Sequence, residues 1–378
     1  MAEPRSLNHT SSRNWTRYSS LEDIDVPGDG SPALRVLVSV VYSVVCAAGL
    51  LGNLLVFFLM SARRDRQKRS TVDLFVLNLA VTDFQFVLTL PFWAADTALD
   101  FSWPFGTVMC KLVLSVTVMN IYASAFFLTA MSVTRYWSVA FALKDRTRRK
   151  VCSVRWVVVG LWVSAGTVTL PSSVFSTVRN VDGETLCLVG ISGQLWQALY
   201  HLQKVLLAFV VPMSTITVCY VLLLLFVRAR SMNTPLQRRR SRLTRSVTIV
   251  VLTFFLSWMP NHVITVWGVL VKLDLVNWDQ NYYLVHTYVY PVTVCLAQTN
   301  SCLNPVLYCL TRPEMRRRIK NLFWRISSTS GRRTCSQRSS GTRTVLAEPA
   351  MIPLNTVDTE NCRLSALTEQ DNTEPVHR

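Results

Sequence analysis

Long apolar runs alternate with short polar connections along most of this chain. Seven runs stand out: Leu34 to Met60, Val72 to Ala98, Thr107 to Phe141, Val151 to Phe175, Leu195 to Val227, Leu243 to Val271 and Tyr282 to Leu310. Each meets or exceeds the roughly 20 residues a helix needs to cross a hydrocarbon core. The pattern predicts an all-α membrane protein, a seven-transmembrane helix bundle over residues 34–311. Residues 1–33 are polar and end in Pro27, Gly28, Gly30 and Pro32, which predicts a disordered extracellular tail. Residues 327–378, rich in Ser, Thr and Arg, predict a disordered cytoplasmic tail. Between bundle and tail, residues 312–326 place Met315, Ile319, Leu322, Phe323 and Ile326 at helical spacing among basic residues. That spacing predicts a short amphipathic eighth helix on the anionic inner leaflet of the bilayer, with a partner-binding helix as the other reading of this segment.

Composition agrees: half of the 378 residues are hydrophobic, only 16% are charged, and the mean hydropathy is +0.30. A soluble chain carries about 25% charged residues. The net charge of +17 does not imply nucleic acid, because the basic residues cluster in connections and tails rather than on a soluble face.

Their distribution sets the topology. Residues 61–71 hold five Lys and Arg, residues 142–155 hold six and residues 228–245 hold seven. The alternate connections are nearly empty, with Arg179 in the fourth–fifth and Lys272 in the sixth–seventh. By the positive-inside rule the first set is cytoplasmic, the N-terminus is outside and the C-terminus inside, as expected for a multi-pass plasma-membrane protein. Asn8 and Asn14 each open an Asn-X-Thr triplet in the outer tail and are candidate glycosylation sites. Among the ten cysteines only Cys110 and Cys187 fall on the oxidising side, and a disulfide between them is predicted.

Polar residues inside the runs carry the candidate chemistry, because ionisable groups in a membrane are costly. Asp83 lies deep in the second run, and Asn53, Asn120, Ser124, Asn300, Ser301 and Asn304 could meet it. A carboxylate ringed by neutral oxygens makes a monovalent-cation pocket or a proton site, or serves as hydrogen-bonded glue between helices. Pro91, Pro212, Pro260 and Pro305 interrupt their helices and offer hinges. Arg135 stands at the inner end of the third run, placed to snorkel or to meet a partner docking from inside.

Taken together these residues resemble the rhodopsin-like (class A) G-protein-coupled receptors. The resemblance rests on Gly52-Asn53, Leu79 to Asp83, Arg135-Tyr136, Trp162, Pro212 with Tyr220, Trp258-Met259-Pro260, and Asn304-Pro305 through Tyr308, in that order across the seven runs. It implies that Asp83 with Asn120, Ser124, Asn300, Ser301 and Asn304 forms an allosteric sodium pocket. It implies a switch at Trp258, and a rearrangement of Arg135, Tyr220 and Tyr308, with Pro260 and Pro305 as bends, that opens a site for the G-protein α subunit. Arrestin and receptor kinases are the further partners implied, with the tail serines from Ser327 to Ser340 as candidate phosphorylation sites.

The ligand is narrowed by what is absent. Thr117 stands where amine receptors carry aspartate, and Gln298 where opsins carry the retinal lysine. The outer face is acidic and aromatic, with Trp93, Asp96, Asp100, Phe101, Trp103, Asp182, Glu184, Asp274 and Asp279. Solvated loops alone would account for part of that acidity; a cationic peptide with an aromatic anchor would suit all of it. Lys204, a turn below Tyr200, faces inward and calls for a carboxylate. The stretches Leu77 to Ala94, Ala98 to Gly106, Tyr122 to Ala140 and Tyr200 to Leu207 are similar to relaxin-family peptide receptors of the relaxin-three and insulin-like-peptide-five type. That similarity implies a two-chain insulin-like peptide hormone or neuropeptide, with Asp96, Asp100 and Glu184 receiving its arginines. Trp93 would pack on its terminal tryptophan and Lys204 would pair with its C-terminal carboxylate. Inhibitory G proteins would then lower cyclic AMP. Receptors of angiotensin, somatostatin or chemokine type are the near alternative.

Other classes fit less well. No internal repeat or chromophore lysine supports a transporter or pump. His201, His262 and His286 are scattered near outer ends, without a paired nucleophile or a metal-ligand set, so no catalytic residue, cofactor other than sodium, or structural metal is expected. One departure from the wider family is Thr134, where an acid usually precedes the arginine; no acid stands at the inner end of the sixth run either. Without those clamps on Arg135 the resting state is held less firmly. The expected outcome is that Thr134→Asp lowers ligand-independent signalling below that of the wild type in a nucleotide-exchange assay; equal or higher basal exchange in the variant contradicts this.

Overall fold

In lipid no water is available to the backbone, so each apolar run must satisfy its own N–H and C=O groups by forming a helix. A computed structural model of the chain shows this outcome. It describes residues 32–61, 71–140, 151–181, 184–228, 235–311, 315–317, 319–321 and 324. Candidate positions Asn8, Asn14 and Asp182, and the tail serines, lie outside the described residues.

Helix α1 spans Pro32–Ser61, α2 Thr71–Val87, α3 Leu90–Ala98, α4 Gly106–Ala140 and α5 Val151–Phe175. A hairpin of β1 (Ser176–Val181) and β2 (Glu184–Val189) follows. Helices α6 (Gln194–Val205) and α7 (Val211–Arg228) run on through a π-helical turn at Leu206–Val210. Helix α8 covers Pro235–Lys272, and α9 (Gln280–Leu284) joins α10 (Tyr290–Thr311) through a second π turn at Val285–Val289. The described residues up to Asn321 belong to one compact unit, and Trp324 to a second, Phe323–Arg378. Of the segment expected to form an eighth helix, Met315 to Arg317, Ile319 to Asn321 and Trp324 are helical, and Met315 is buried in the main core.

Among the described residues six helical stretches are long and apolar enough to cross a membrane, where the hydropathy pattern predicts seven. The seventh run is helical but carries Gln298, Asn300, Ser301 and Asn304, which dilute its apolar content. The second run is also broken: its helix opens at Leu88 and Thr89, whose hydroxyl caps the Phe86 carbonyl at 2.7 Å, and restarts with Pro91 in the first turn of α3. Proline lacks only an N–H that a first helical turn leaves unpaired anyway.

The bundle is apolar outside as well as inside. Leu51, Leu54 and Phe58 on α1, Val159 and Val163 on α5, and Val218 and Leu224 on α7 are exposed. Such a girdle would be a liability in water and is the expected surface in lipid. The inner core is built around α4, where Tyr122, Phe127 and Leu128 pack with Phe75 and Leu79 of α2 and Phe254 of α8. Apolar burial does little to hold helices together when the solvent is itself a hydrocarbon, so close packing of small residues and buried polar contacts take over. Gly49 and Gly52 supply the first. A Cβ on Gly49 would lie 2.6 Å from Cγ1 of the fully buried Val87, and one on Gly52 would lie 3.0 Å from Cβ of Pro305.

Gly49→Val therefore forces α1 away from α2, at an expected cost of about 1–3 kcal/mol for overpacking. Melting of the purified receptor in detergent should show a fall of several degrees, and Gly160→Ala, where nothing lies within 4 Å, should show none. Equal melting points for both variants and wild type would contradict the packing argument.

Candidate functional site

The hairpin between α5 and α6 roofs the bundle. Its strands pair antiparallel with Val178 opposite Cys187. Cys187 is joined to Cys110 in the first turns of α4, with a Cα–Cα distance of 5.6 Å. A second tie comes from the Trp103 N–H, which donates to the Thr185 carbonyl at 2.6 Å. Lys111 donates to the carbonyls of Ser173 and Val174 at 3.3 and 2.7 Å, capping the end of α5.

Beneath this roof lies a cavity of about 260 Å³. Trp93, Asp96, Lys204 and Trp258, all predicted from sequence, are among its lining residues, whereas Asp100 and Glu184 are not. Trp93 is oriented by its indole N–H, which donates to Thr117 Oγ1 at 3.1 Å, and by the Trp103 ring 5.9 Å away. Asp96 is 7% exposed and makes no side-chain hydrogen bond or ion pair among the described residues. Lys204, on α6, also lines the cavity, with its ammonium 5.9 Å from the centre of the Tyr200 ring. Tyr200 is itself held by a 2.7 Å hydrogen bond between its hydroxyl and that of Ser172. Asp100 instead pairs with Arg35, Nη1 to Oδ1 at 2.7 Å, and Glu184 opens strand β2.

Below the cavity is a polar layer. Asp83 is fully buried and accepts from Asn120 Nδ2 at 3.2 Å and from Asn304 Nδ2 at 2.8 Å. Ser301 also lies against it. Asn53 donates to the backbone carbonyls of Gly49 and Ser301 at 2.9 and 3.2 Å, which ties α1 to α10. Ser124 Oγ, Asn300 Oδ1 and Asn304 Oδ1 are buried without a hydrogen-bond partner among the described residues. A carboxylate beside several uncommitted neutral oxygens is a donor set that suits a small hard cation such as sodium.

Trp258 forms the boundary between cavity and core. Its ring lies 6.1 Å from Phe254 and 5.8 Å from His262, and His262 lies 4.9 Å from Phe209. Pro260 sits within α8 just above it, and Pro305 within α10 meets Gly52. Toward the inner end Tyr220 lies against Ser132 and Thr248, beside Arg135, and Tyr308 is buried in the same core. Thr134 donates its hydroxyl to the Ala130 carbonyl of its own helix at 2.7 Å.

Sequence reasoning missed several members of the site. His262 is not one of a scatter of outer histidines but a buried ring wedged between Phe209 and Trp258. Gln197 lines the cavity and accepts from Lys272 Nζ at 3.0 Å, linking α6 to α8. Gln197, Tyr200, His201 and Lys204 recur at helical spacing along α6, a polar stripe that was available as a signal.

The sequence matches the 7 transmembrane receptor (rhodopsin family) over residues 52–308. The chain belongs to the rhodopsin family of seven-transmembrane receptors. It is 50% identical over 341 residues to Relaxin-3 receptor 1 of Mus musculus, covering 80% of this chain and 72% of that one. Relaxin-3 receptor 2 of Homo sapiens is 50% identical over 294 residues, 77% of each chain. Type-1 angiotensin II receptor B of Xenopus laevis is 31% identical over 323 residues, 82% of this chain and 87% of that receptor. The protein is thus a multi-pass membrane receptor and not an enzyme.

The roof depends on one covalent tie across 77 residues. A disulfide of this kind contributes about 2–4 kcal/mol. Cys110→Ser, Cys187→Ser and the double variant should therefore melt lower than wild type and by the same amount, because each removes the same bond. Strictly additive losses in the double variant would mean that the two side chains act separately.

Proposed function

We propose that this receptor binds a relaxin-type, insulin-like peptide in its outer cavity and signals through inhibitory G proteins to lower cyclic AMP. The observation that carries the reading is the pairing of opposite charges across one cavity: the Asp96 carboxylate and the Lys204 ammonium both line it. A ligand that satisfies both brings a cation and an anion on one molecule, as a peptide with arginines and a free C-terminus does. The 50% identity to receptors named for relaxin-3 supports the same ligand class.

In this reading Asp96 receives an arginine of the peptide, with Asp100 and Glu184 as further acidic contacts. Trp93 packs on its terminal tryptophan, and Lys204 pairs with its C-terminal carboxylate. Binding shifts the bundle toward its signalling arrangement only as far as the peptide prefers that arrangement. Trp258, under the cavity, passes the shift to Arg135, Tyr220 and Tyr308, with Pro260 and Pro305 as bends. Asp83, Ser124, Asn300, Ser301 and Asn304, with Asn120 beside them, would hold a sodium ion that supplies a counter-charge and favours the resting arrangement. The receptor sits in the plasma membrane with its N-terminus outside, glycosylated at Asn8 and Asn14. Its segment 312–326 lies on the inner leaflet, and its tail is read by kinases and arrestin.

The test is inhibition of cyclic-AMP accumulation in cells by relaxin-3 and by insulin-like peptide 5, on wild type and on Lys204→Ala. At least one peptide should inhibit at the wild type. A buried charge-assisted hydrogen bond is worth about 1.5–3 kcal/mol, so the variant should lose roughly ten- to a hundredfold in potency. Silence to both peptides defeats the ligand class, and full potency of the variant defeats the carboxylate anchor.

A further inference from the structure

Two outer carboxylates four residues apart, Asp96 and Asp100, are in opposite states. Asp96 faces the cavity and makes no side-chain hydrogen bond or ion pair among the described residues. Asp100 is half-exposed, 51%, and already holds a guanidinium, Arg35 Nη1 at 2.7 Å from its Oδ1. Arg35 comes from the first turn of α1, where the helix dipole presents positive charge and disfavours a cation. Its placement is thus unhelpful to its own helix and serves the contact across to Asp100. The contact is also a light one. It runs through a single Nη1–Oδ1 pair, and the Arg35 Nε has no hydrogen-bond partner among the described residues. A bidentate pair would hold both nitrogens and be harder to exchange.

Asp100 also sits on a turn that gives it little freedom. Asp100 and Phe101 both have φ of 62°, the left-handed region that aspartate tolerates and phenylalanine rarely adopts. The Phe101 N–H donates to the Asp96 carbonyl at 2.8 Å, so the same turn carries both carboxylates. The Asp100 carboxylate is therefore presented by a fixed backbone at the rim of the cavity whose wall holds Asp96.

We propose that Arg35 is a selectivity-setting residue: an internal guanidinium that occupies Asp100 in the free receptor, so that a ligand's second cation binds there only in exchange for it. The proposal rests on the peptide reading of the cavity and adds a rule to it. A ligand with one cation gains Asp96 alone. A ligand with a second guanidinium at the right spacing gains Asp100 as well, less the cost of releasing Arg35. Because exposed ion pairs are individually weak, that cost is small enough for exchange and large enough to rank ligands.

The experiment is equilibrium displacement of labelled relaxin-3 on intact cells. The variants are wild type, Arg35→Gln, Asp100→Asn and the double variant, each normalised to its surface level through an epitope tag. Arg35→Gln should bind relaxin-3 more tightly, by up to about fivefold for release of an exposed pair. Asp100→Asn should bind it more weakly, and in the double variant the gain should vanish. Arg35→Lys, which keeps the charge, should lie at or near wild type. No gain in Arg35→Gln, a gain that persists without Asp100, or an Asp100→Asn receptor with wild-type affinity each overturns the proposal. Asp96→Asn separates the two levels. No specific binding of relaxin-3 to the wild type defeats the peptide reading itself, and unchanged binding in Asp96→Asn defeats the assignment of an arginine to Asp96, whereas loss of binding in Asp96→Asn with no exchange pattern at Arg35 and Asp100 defeats the selectivity role alone.

Discussion

A fully buried carboxylate in the middle of the helices is the constraint that the rest of this receptor answers to. Asp83 has no solvent contact, and an uncompensated charge in such surroundings is strongly destabilising. The bundle meets the demand by bringing amide donors from two other helices to it, Asn120 of α4 and Asn304 of α10. A third amide, Asn53, ties α1 to the backbone of α10 at Ser301. Four helices are thereby committed to one polar layer, and none can shift without changing how that layer is satisfied. The oxygens left uncommitted on Ser124, Asn300 and Asn304 give the layer more than one way to be satisfied, and that is the physical requirement for a switch.

The outer half solves a different problem, how to keep a charged cavity open above that layer. A disulfide and a two-stranded hairpin span the mouth, and the hairpin's end lines the cavity through Cys187, Leu188 and Val189. Aromatic contacts fix the acidic wall: Trp103 lies 5.1 Å from Phe105 and 5.9 Å from Trp93, and Trp93 is anchored to Thr117. With its framework held this way, the site can present Asp96 and Lys204 at a set separation to an incoming ligand. The cavity floor is Trp258, so a ligand that fills the cavity presses on the same helix, α8, whose inner end borders Tyr220 and Arg135.

Much of this was legible from residue order, because lipid imposes so simple a rule. The fourth run, Val151 to Phe175, has the same bounds as helix α5, and the first, third and sixth differ from their helices only at the ends, whereas the second, fifth and seventh are interrupted within. The Asp83 layer was legible because ionisable and amide side chains are conspicuous inside apolar runs, and the disulfide because topology left only two cysteines outside. What stayed hidden depends on three-dimensional pairing. The hairpin needs its register with Cys187 and Trp103, and Pro91 marked a bend in the second run without showing that the helix opens ahead of it, at Leu88 and Thr89. Asp96 and Asp100 look equivalent in sequence; one is buried in the cavity wall and the other is taken up by Arg35, sixty-five residues away. His262 read as one of three scattered outer histidines because Trp258 is one turn away on its own helix but Phe209 comes from elsewhere in the chain.

We propose that the outer cavity and the inner face are two sites coupled through the Asp83 layer and Trp258. Coupling of this kind is reciprocal: if a peptide outside favours the G protein inside, the G protein must favour the peptide by the same factor, typically about 5- to 150-fold. The direct measurement is the affinity of relaxin-3 for the purified receptor in lipid discs, with and without a nucleotide-free inhibitory G protein. Tighter binding is expected when the G protein is present, by a factor within that range. Measurable peptide binding with the same affinity in both conditions would contradict it.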